Sequence, residues 1–397
     1  MPVIPAIHER SADLLSIFED LHRHPELGFE ESRTAAVVAD KLRSWGFDEV
    51  HTGIGTTGVV GILHGRGTRG GAGNRRVGVR ADMDALPIEE ASGVAYTSGN
   101  PGRMHACGHD GHTTMLLGAA QYLAASRGFA GTAVFVFQPA EEGLGGARRM
   151  LQEGLFERFP CDEIYGMHNQ PTGKPGHATL RKGAALAGAS FFDIHLRGRG
   201  SHAAMPHQAR DVLVIGAYLI QQLQSIVSRN VRATDACVVS CTQFHTGSAY
   251  NVIPETATIT GTIRFFSTDV RDLVQSRMRA ICEGLALGHG IAIDVAFHEI
   301  FDVLLNDAEL SDAYLAAAAD VVGAGNVAEE DAPFMGSEDF ADMLRRVPGS
   351  YLNLGHAGTV PLHNPAFVLD PDILPVGASI YARIIETRLP IDKEPTA

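Results

Sequence analysis

Ser190-Phe-Phe-Asp-Ile-His-Leu196 alternates so that Phe192, Ile194 and Leu196 share one face, the period of two that marks a half-buried strand. Working outward from it, Val212, Ile215, Leu219, Leu223 and Ile226 form a single stripe of a helix over 212–227. Alternating strands follow at 236–244 and 256–266, then a helix over 270–287 and a last strand at 291–297. Strand, helix, two strands, helix, strand is the order of a ferredoxin-like α+β unit, here about 110 residues long. The strand at 236–244 offers an edge that a second copy can pair with to form a homodimer or higher homo-oligomer through this unit, while a monomer with that edge covered reads nearly as well.

The flanks read differently. Short apolar runs at 58–63, 77–80, 133–137 and 163–167 are each bounded by glycine or polar turns, with a helix-like stretch at 113–125 between two of them. That alternation predicts an α/β sheet whose strands are buried on both faces. Residues 11–45 read as helical, ending at Gly46, and a final helix is expected over 376–388. The expected architecture is one α/β domain built from residues 1–187 and 300–397 and interrupted by the smaller α+β domain at 188–299. The glycine-rich stretch 65–74 reads as a surface turn.

The 397 residues carry 32 Lys plus Arg against 46 Asp plus Glu, a formal charge of −14, which disfavours a phosphate backbone as partner and excludes nucleic acid. No apolar run approaches the ~18 residues of a membrane span, so no membrane partner is expected. Five scattered cysteines do not form a disulfide framework, and the N-terminus has no signal-peptide pattern; the expected location is cytoplasmic. Eighteen histidines point to proton or metal chemistry.

Four stretches carry such chemistry. Arg80-Ala-Asp-Met-Asp-Ala-Leu-Pro87 places two carboxylates at i and i+2 after a strand, suited to a metal or hydrogen bonds, though a solvated turn reads equally well. Met104-His-Ala-Cys-Gly-His-Asp-Gly-His112 packs a thiol and three imidazoles together; this is a metal-ligand cluster, or else Cys107 is a nucleophile activated by histidine. Phe137-Gln-Pro-Ala-Glu-Glu-Gly143 sets adjacent acids after a buried strand, where either charge needs a partner. His168 and His363 close the set. Cys107, His109, Glu142, His168 and His363 are five donors of suitable type for one or two divalent ions.

With Leu21-His-Arg-His-Pro-Glu-Leu27 before them and Met335-Gly-Ser-Glu-Asp-Phe340 after, these segments resemble, in order along nearly the whole chain, the metal-dependent amidohydrolases of the aminoacylase and hippurate hydrolase type. Auxin-conjugate hydrolases and some carboxypeptidases belong to the same group. The resemblance implies a two-metal, zinc-peptidase-like catalytic domain with an inserted lid and dimerisation domain. It implies Cys107, His109, Glu142, His168 and His363 as metal ligands with Cys107 shared, Glu141 as general base and Asp84 as a carboxylate supporting the ligands. It also implies His202 as the residue that polarises the scissile carbonyl, and Asn251 and Arg264 near the substrate carboxylate. Asp211-Val212 departs from the family's frequent Asp-Pro and should alter only the start of a helix. The implied cofactors are two divalent ions per chain, zinc or manganese, with cobalt or nickel as further options. The implied reaction is hydrolysis of a small-molecule N-acyl amino acid to a carboxylate and an amino acid. A metallo-dipeptidase or carboxypeptidase of the same fold, and a metal-free thiol amidase using Cys107, are the alternatives.

Overall fold

Pro25 removes a backbone donor, and the chain opens between His24 and Glu31, so the helical pattern at 11–45 forms two helices, α1 (Ser11–Arg23) and α2 (Ser32–Ser44). The computed structural model describes residues 3–66 and 75–391; of the turn at 65–74, residues 67–74 lie outside them. Next come β1 (Glu49–Ile54), β2 (Gly58–His64), β3 (Arg76–Asp82), α3 (His109–Ser126), β4 (Thr132–Gln138), β5 (Glu163–Gln170) and β6 (Ala178–Leu180). The alternating stretch lies in β7 (Gly188–Arg197), followed by α4 (Val212–Arg229), β8 (Cys237–Thr246), β9 (Thr256–Phe265), α5 (Thr268–His289) and β10 (Ala292–Phe301). The chain then runs through α6 (Ala308–Val322), β11 (Val327–Glu329), β12 (Gly349–Gly355) and α7 (Leu374–Arg388).

The described chain divides into two compact units. The larger takes the chain up to Ala185, Leu305–Pro333 and the chain from Asp339. Its mixed sheet has the order β1-β2-β4-β3-β5-β12-β6-β11. β3 lies parallel to β4 and to β5, and β12 parallel to β5, so the carboxyl ends of these strands share one edge. Every residue of β4 is buried, as its unbroken apolar run Ala133-Val-Phe-Val-Phe137 requires of a strand covered on both faces. α3 is buried almost all round and packs against α7.

The smaller unit is Leu186–Leu304 with Phe334–Glu338. Its antiparallel sheet has the order β8-β9-β7-β10, the arrangement of a ferredoxin-like unit. Phe192, Ile194 and Leu196 are buried in it, as are Val212, Ile215, Leu219, Leu223 and Ile226 of α4. Asp211 caps α4 by accepting from the amides of Leu213 (2.9 Å) and Val214 (3.3 Å), so the helix starts cleanly without a proline. The return of 334–338 to this unit was not foreseen; the Ala187 amide donates to the carbonyls of Phe334 (3.1 Å) and Gly336 (2.9 Å). No described helix is long and apolar enough to cross a membrane.

Candidate active site

The carboxyl ends of β3, β4 and β5 meet the amino end of α3, the edge where open α/β sheets place their ligands. β3 delivers Asp82 and, two residues on, Asp84. β4 leads into Pro139-Ala-Glu-Glu142, β5 carries His168, and the turn before α3 carries Cys107. Gly108, which starts α3, has φ +90°, and a Cβ there would lie 2.4 Å from the Asn169 side-chain nitrogen. Only glycine lets Cys107 and His109 close onto β5.

Cys107 Sγ lies 3.4 Å from His168 Nε2. His168 Nδ1 donates to the Asn169 carbonyl at 2.6 Å, which turns Nε2 toward the thiol. His363 Nε2 is 3.2 Å from Glu142 Oε1, and His109 Nε2 is 3.9 Å from the same oxygen. His363 sits at φ +62° with its amide on the Ala106 carbonyl at 2.8 Å, a left-handed turn that histidine tolerates better than most residues. Two donor trios result, Cys107 with His109 and His168, and Cys107 with Glu142 and His363, each with donor atoms within 4.8 Å of one another. Their common member is the Cys107 sulfur. Among the described residues, His109 Nε2 and Glu142 Oε1 are buried without a hydrogen-bond partner. Burying polar atoms without hydrogen bonds is costly, and His109 Nε2 with Glu142 Oε1 turned toward the thiol and imidazoles makes a donor set that fits two divalent ions.

Asp84 stands behind this set. Its Oδ1 is 3.3 Å from His109 Nδ1, and its two oxygens accept the amides of Glu141 and Glu142, each at 3.0 Å. The solvated-turn reading of Asp82 and Asp84 is therefore wrong: both are buried. Asp82 accepts from His112 Nδ1 at 2.7 Å. Burial raises its carboxyl, but His109, His112 and Arg80 outweigh this and hold it well below the usual range. Ala140 adopts φ +54°, which costs a non-glycine residue roughly 1–2 kcal/mol. Glu141, buried, accepts the Asp339 amide at 3.4 Å.

In the smaller unit His202 pairs with Val252, the Ala203 amide donates to the Asn251 carbonyl at 3.0 Å, and both His202 and Asn251 line a cavity of about 780 Å³. Arg264 is not among its walls. It stands opposite Val238 and Ala189, eight residues along β9 from Thr256, or about 26 Å at ~3.3 Å per residue. The structure thus brings His202 and Asn251 together and leaves Arg264 at the other end of the sheet.

Composition and spacing missed three residues. Arg80, fully buried, donates to Asp82 (2.7 Å), Gln138 (2.8 Å) and Asp339 (3.3 Å); a charge ending the buried run Val77-Gly-Val-Arg80 was the available signal. Glu31 is wholly buried beneath the turn at Ala140, with no signal in its own segment. His22 holds Asp110 at 2.6 Å and Glu90 at 3.1 Å. Burial lowers the His22 pKa, but the two carboxylates outweigh it and hold it at about 9. A folded value above the unfolded ~6.5 makes this contribution, roughly 3 kcal/mol, complete below pH ~6.5 and lost as pH rises through about 9. Urea midpoints should therefore fall across that window, and His22→Gln should flatten the fall; an unchanged slope in the variant would refute it.

The family model described as Peptidase family M20/M25/M40 matches residues 78–387. The chain belongs to this family. This M20 chain is a metal-dependent hydrolase of amide bonds. It is 40% identical over 384 residues to the hippurate hydrolase of Campylobacter jejuni, covering 97% of this chain and 98% of that protein. It is 36% identical over 380 residues to the N-acetylcysteine deacetylase of Bacillus subtilis, covering 96% and 97%. Among solved structures, a dinuclear metal-binding peptidase of the M20 family from Bacillus subtilis superposes with a TM-score of 0.82 at 32% identity, covering 97% of this chain and 100% of that one.

Proposed function

We propose that the protein hydrolyses N-acyl amino acids, with Glu141 as general base beside two divalent ions held by Cys107, His109, Glu142, His168 and His363. One observation carries the reading: two three-donor sets share the Cys107 sulfur, and the Glu141 carboxylate adjoins them, within 4.8 Å of donor atoms of His109 and Glu142 but in neither set that contains Cys107. When bound, two such ions polarise an amide carbonyl and lower the pKa of water toward ~7. The Glu141 carboxylate takes the proton of the attacking water as the new C–O bond forms. It then passes that proton to the departing amine nitrogen as the C–N bond breaks, leaving a carboxylate and an amino acid. His202 serves as donor to the developing oxyanion in this reading, on the strength of Gly198-Arg-Gly-Ser-His202. Asn251, beside it, and Arg264 are assigned to the substrate carboxylate; because they lie at opposite ends of one sheet, a single copy of the unit cannot give both to one small substrate. If both serve, the second comes from another copy, which is the homodimer inferred from the β8 edge.

A thiol mechanism fares worse. Burial, reinforced by the Glu142 charge, pushes the Cys107 thiol well above its usual pKa, so without a cation it stays protonated and a poor nucleophile. The names of the relatives favour acylated amino acids, hippurate and N-acetylcysteine among them, over peptides. The thiolate suits zinc, and the carboxylate and imidazoles tolerate manganese.

The test is a panel of N-benzoyl, N-acetyl and indole-acetyl amino acids, with dipeptides as controls. Turnover of acylated amino acids is expected, lost on full chelation and restored by zinc or manganese. Activity that survives complete metal removal would sink the metal reading, and exclusive turnover of dipeptides would sink the substrate class.

A further inference from the structure

Three successive amides after β4 are each captured by a buried carboxylate. Those of Glu141 and Glu142 go to Asp84, at 3.0 Å each, and that of Ala140 goes to Glu31 Oε1 at 2.8 Å. The other Glu31 oxygen accepts from the Thr57 hydroxyl at 2.5 Å, tying the carboxylate to the turn between β1 and β2. Glu31 is 0% exposed, although it lies just outside α2 and far in sequence from its partners. What it holds is not a relaxed segment: Ala140 has a left-handed φ of +54°, which an alanine leaves unless something retains it. The segment is retained from both ends, since the Gly146 amide also donates to the Ala140 carbonyl at 3.0 Å.

We infer that Glu31 is a positioning residue whose carboxylate clamps the left-handed turn at Ala140, and so aims Glu141 and Glu142 in their two different directions. The clamp rests on the functional reading above for what Glu141 and Glu142 do, but not for the geometry it maintains. Asp84 alone fixes the amides of 141 and 142; it leaves the peptide before Ala140 free to rotate to a relaxed φ. That rotation would swing both side chains together. A misplacement near 1 Å at reacting groups costs up to about 10²-fold in rate.

Glu31→Ala is the first variant. It is expected to lose up to about 10²-fold in kcat with KM within about threefold, because transition-state geometry and not substrate capture is disturbed. Its amides in the segment 138–147 should exchange with deuterium faster than the parent's. Glu31→Gln is expected to stay close to the parent in both readouts, since its amide oxygen accepts from Ala140 and its NH2 group donates to the Thr57 hydroxyl. Adding Ala140→Gly to Glu31→Ala should recover part of the lost kcat, glycine having no penalty at positive φ. If Glu31→Ala does not fold, Glu31→Asp, whose arm is too short to span both partners, carries the same expectation. Parent values of kcat and exchange in Glu31→Ala, or a folded Glu31→Gln as impaired as Glu31→Ala, would overturn the clamp. If the parent hydrolyses no N-acyl amino acid, the functional reading fails while the exchange comparison still decides the clamp.

Discussion

Glu141→Gln is expected to lower kcat by about 10²–10⁴-fold while both metal ions stay bound. The reason is that Glu141, although its carboxylate lies within 4.8 Å of donor atoms of His109 and Glu142, contributes no atom to the two trios that share Cys107, whereas its neighbour Glu142 does. Glutamine keeps the volume and the acceptor for the Asp339 amide, so the turn and its hydrogen bond at 3.4 Å should persist. What it removes is the group proposed to take the water's proton and return it to the amine. KM should change little, since the interaction lost on this proposal belongs to the transition state. Glu142→Gln is the control and should behave differently. It deletes a charged donor from one trio, so metal content should fall together with activity. Metal content by plasma mass spectrometry and kcat on the same preparations separate the two. A Glu141→Gln protein that turns over within about tenfold of the parent would remove Glu141 from the role of base.

The parts of this fold legible in the sequence are those that depend on local periodicity. The alternation at 190–196 and the stripe from Val212 to Ile226 name the buried face of the smaller unit, because the residues that make the pattern also make the contacts. The same holds for Ala133-Val-Phe-Val-Phe137, whose continuous apolarity requires cover on both faces. Chemistry was legible where donors cluster in sequence, as around Cys107, or stand side by side, as at Glu141 and Glu142. What was not legible depends on partners far along the chain. Glu31 meets Ala140 across 109 residues and Arg80 meets Asp339 across 259, and neither local segment records the other. The helix expected over 11–45 erred for a local reason instead: helical apolar patterns lie on both sides of 24–31, and Pro25 with Gly28 breaks the helix between them. The separation of Arg264 from Asn251 was not legible either. Arg264 follows Asn251 closely in sequence, yet a ten-residue strand carries it away from the cavity that Asn251 lines.

Arg80→Met should destabilise the larger unit by about 3–5 kcal/mol. The guanidinium is fully buried, as are both carboxylates it binds, and the ring of Phe340 lies 5.5 Å from its central carbon. Methionine fills much of the volume but leaves Asp82 and Asp339 sharing a low-dielectric space without the cation between them. The cost is therefore that of stranded charge more than of lost packing. That distinction is testable. If stranded charge dominates, replacing both aspartates with asparagine in the Arg80→Met background should recover part of the lost stability, although it alters more residues. If packing dominates, the triple variant should be worse than the single. Arg80→Lys should fall between parent and Arg80→Met, because an ammonium keeps the charge but cannot donate along the three directions that reach Gln138, Asp82 and Asp339 at 2.8, 2.7 and 3.3 Å. The effect should also reach the site. Asp82 orients His112, whose Nε2 accepts the Asn169 amide at 2.9 Å, and the Asn169 side chain donates to the Cys107 carbonyl at 2.6 Å. A folded Arg80→Lys protein is accordingly expected to bind its metal ions more weakly than the parent in the absence of urea. Equilibrium urea unfolding and metal titration of the three variants decide both points, and an Arg80→Met midpoint shift equivalent to less than about 0.5 kcal/mol would refute the first.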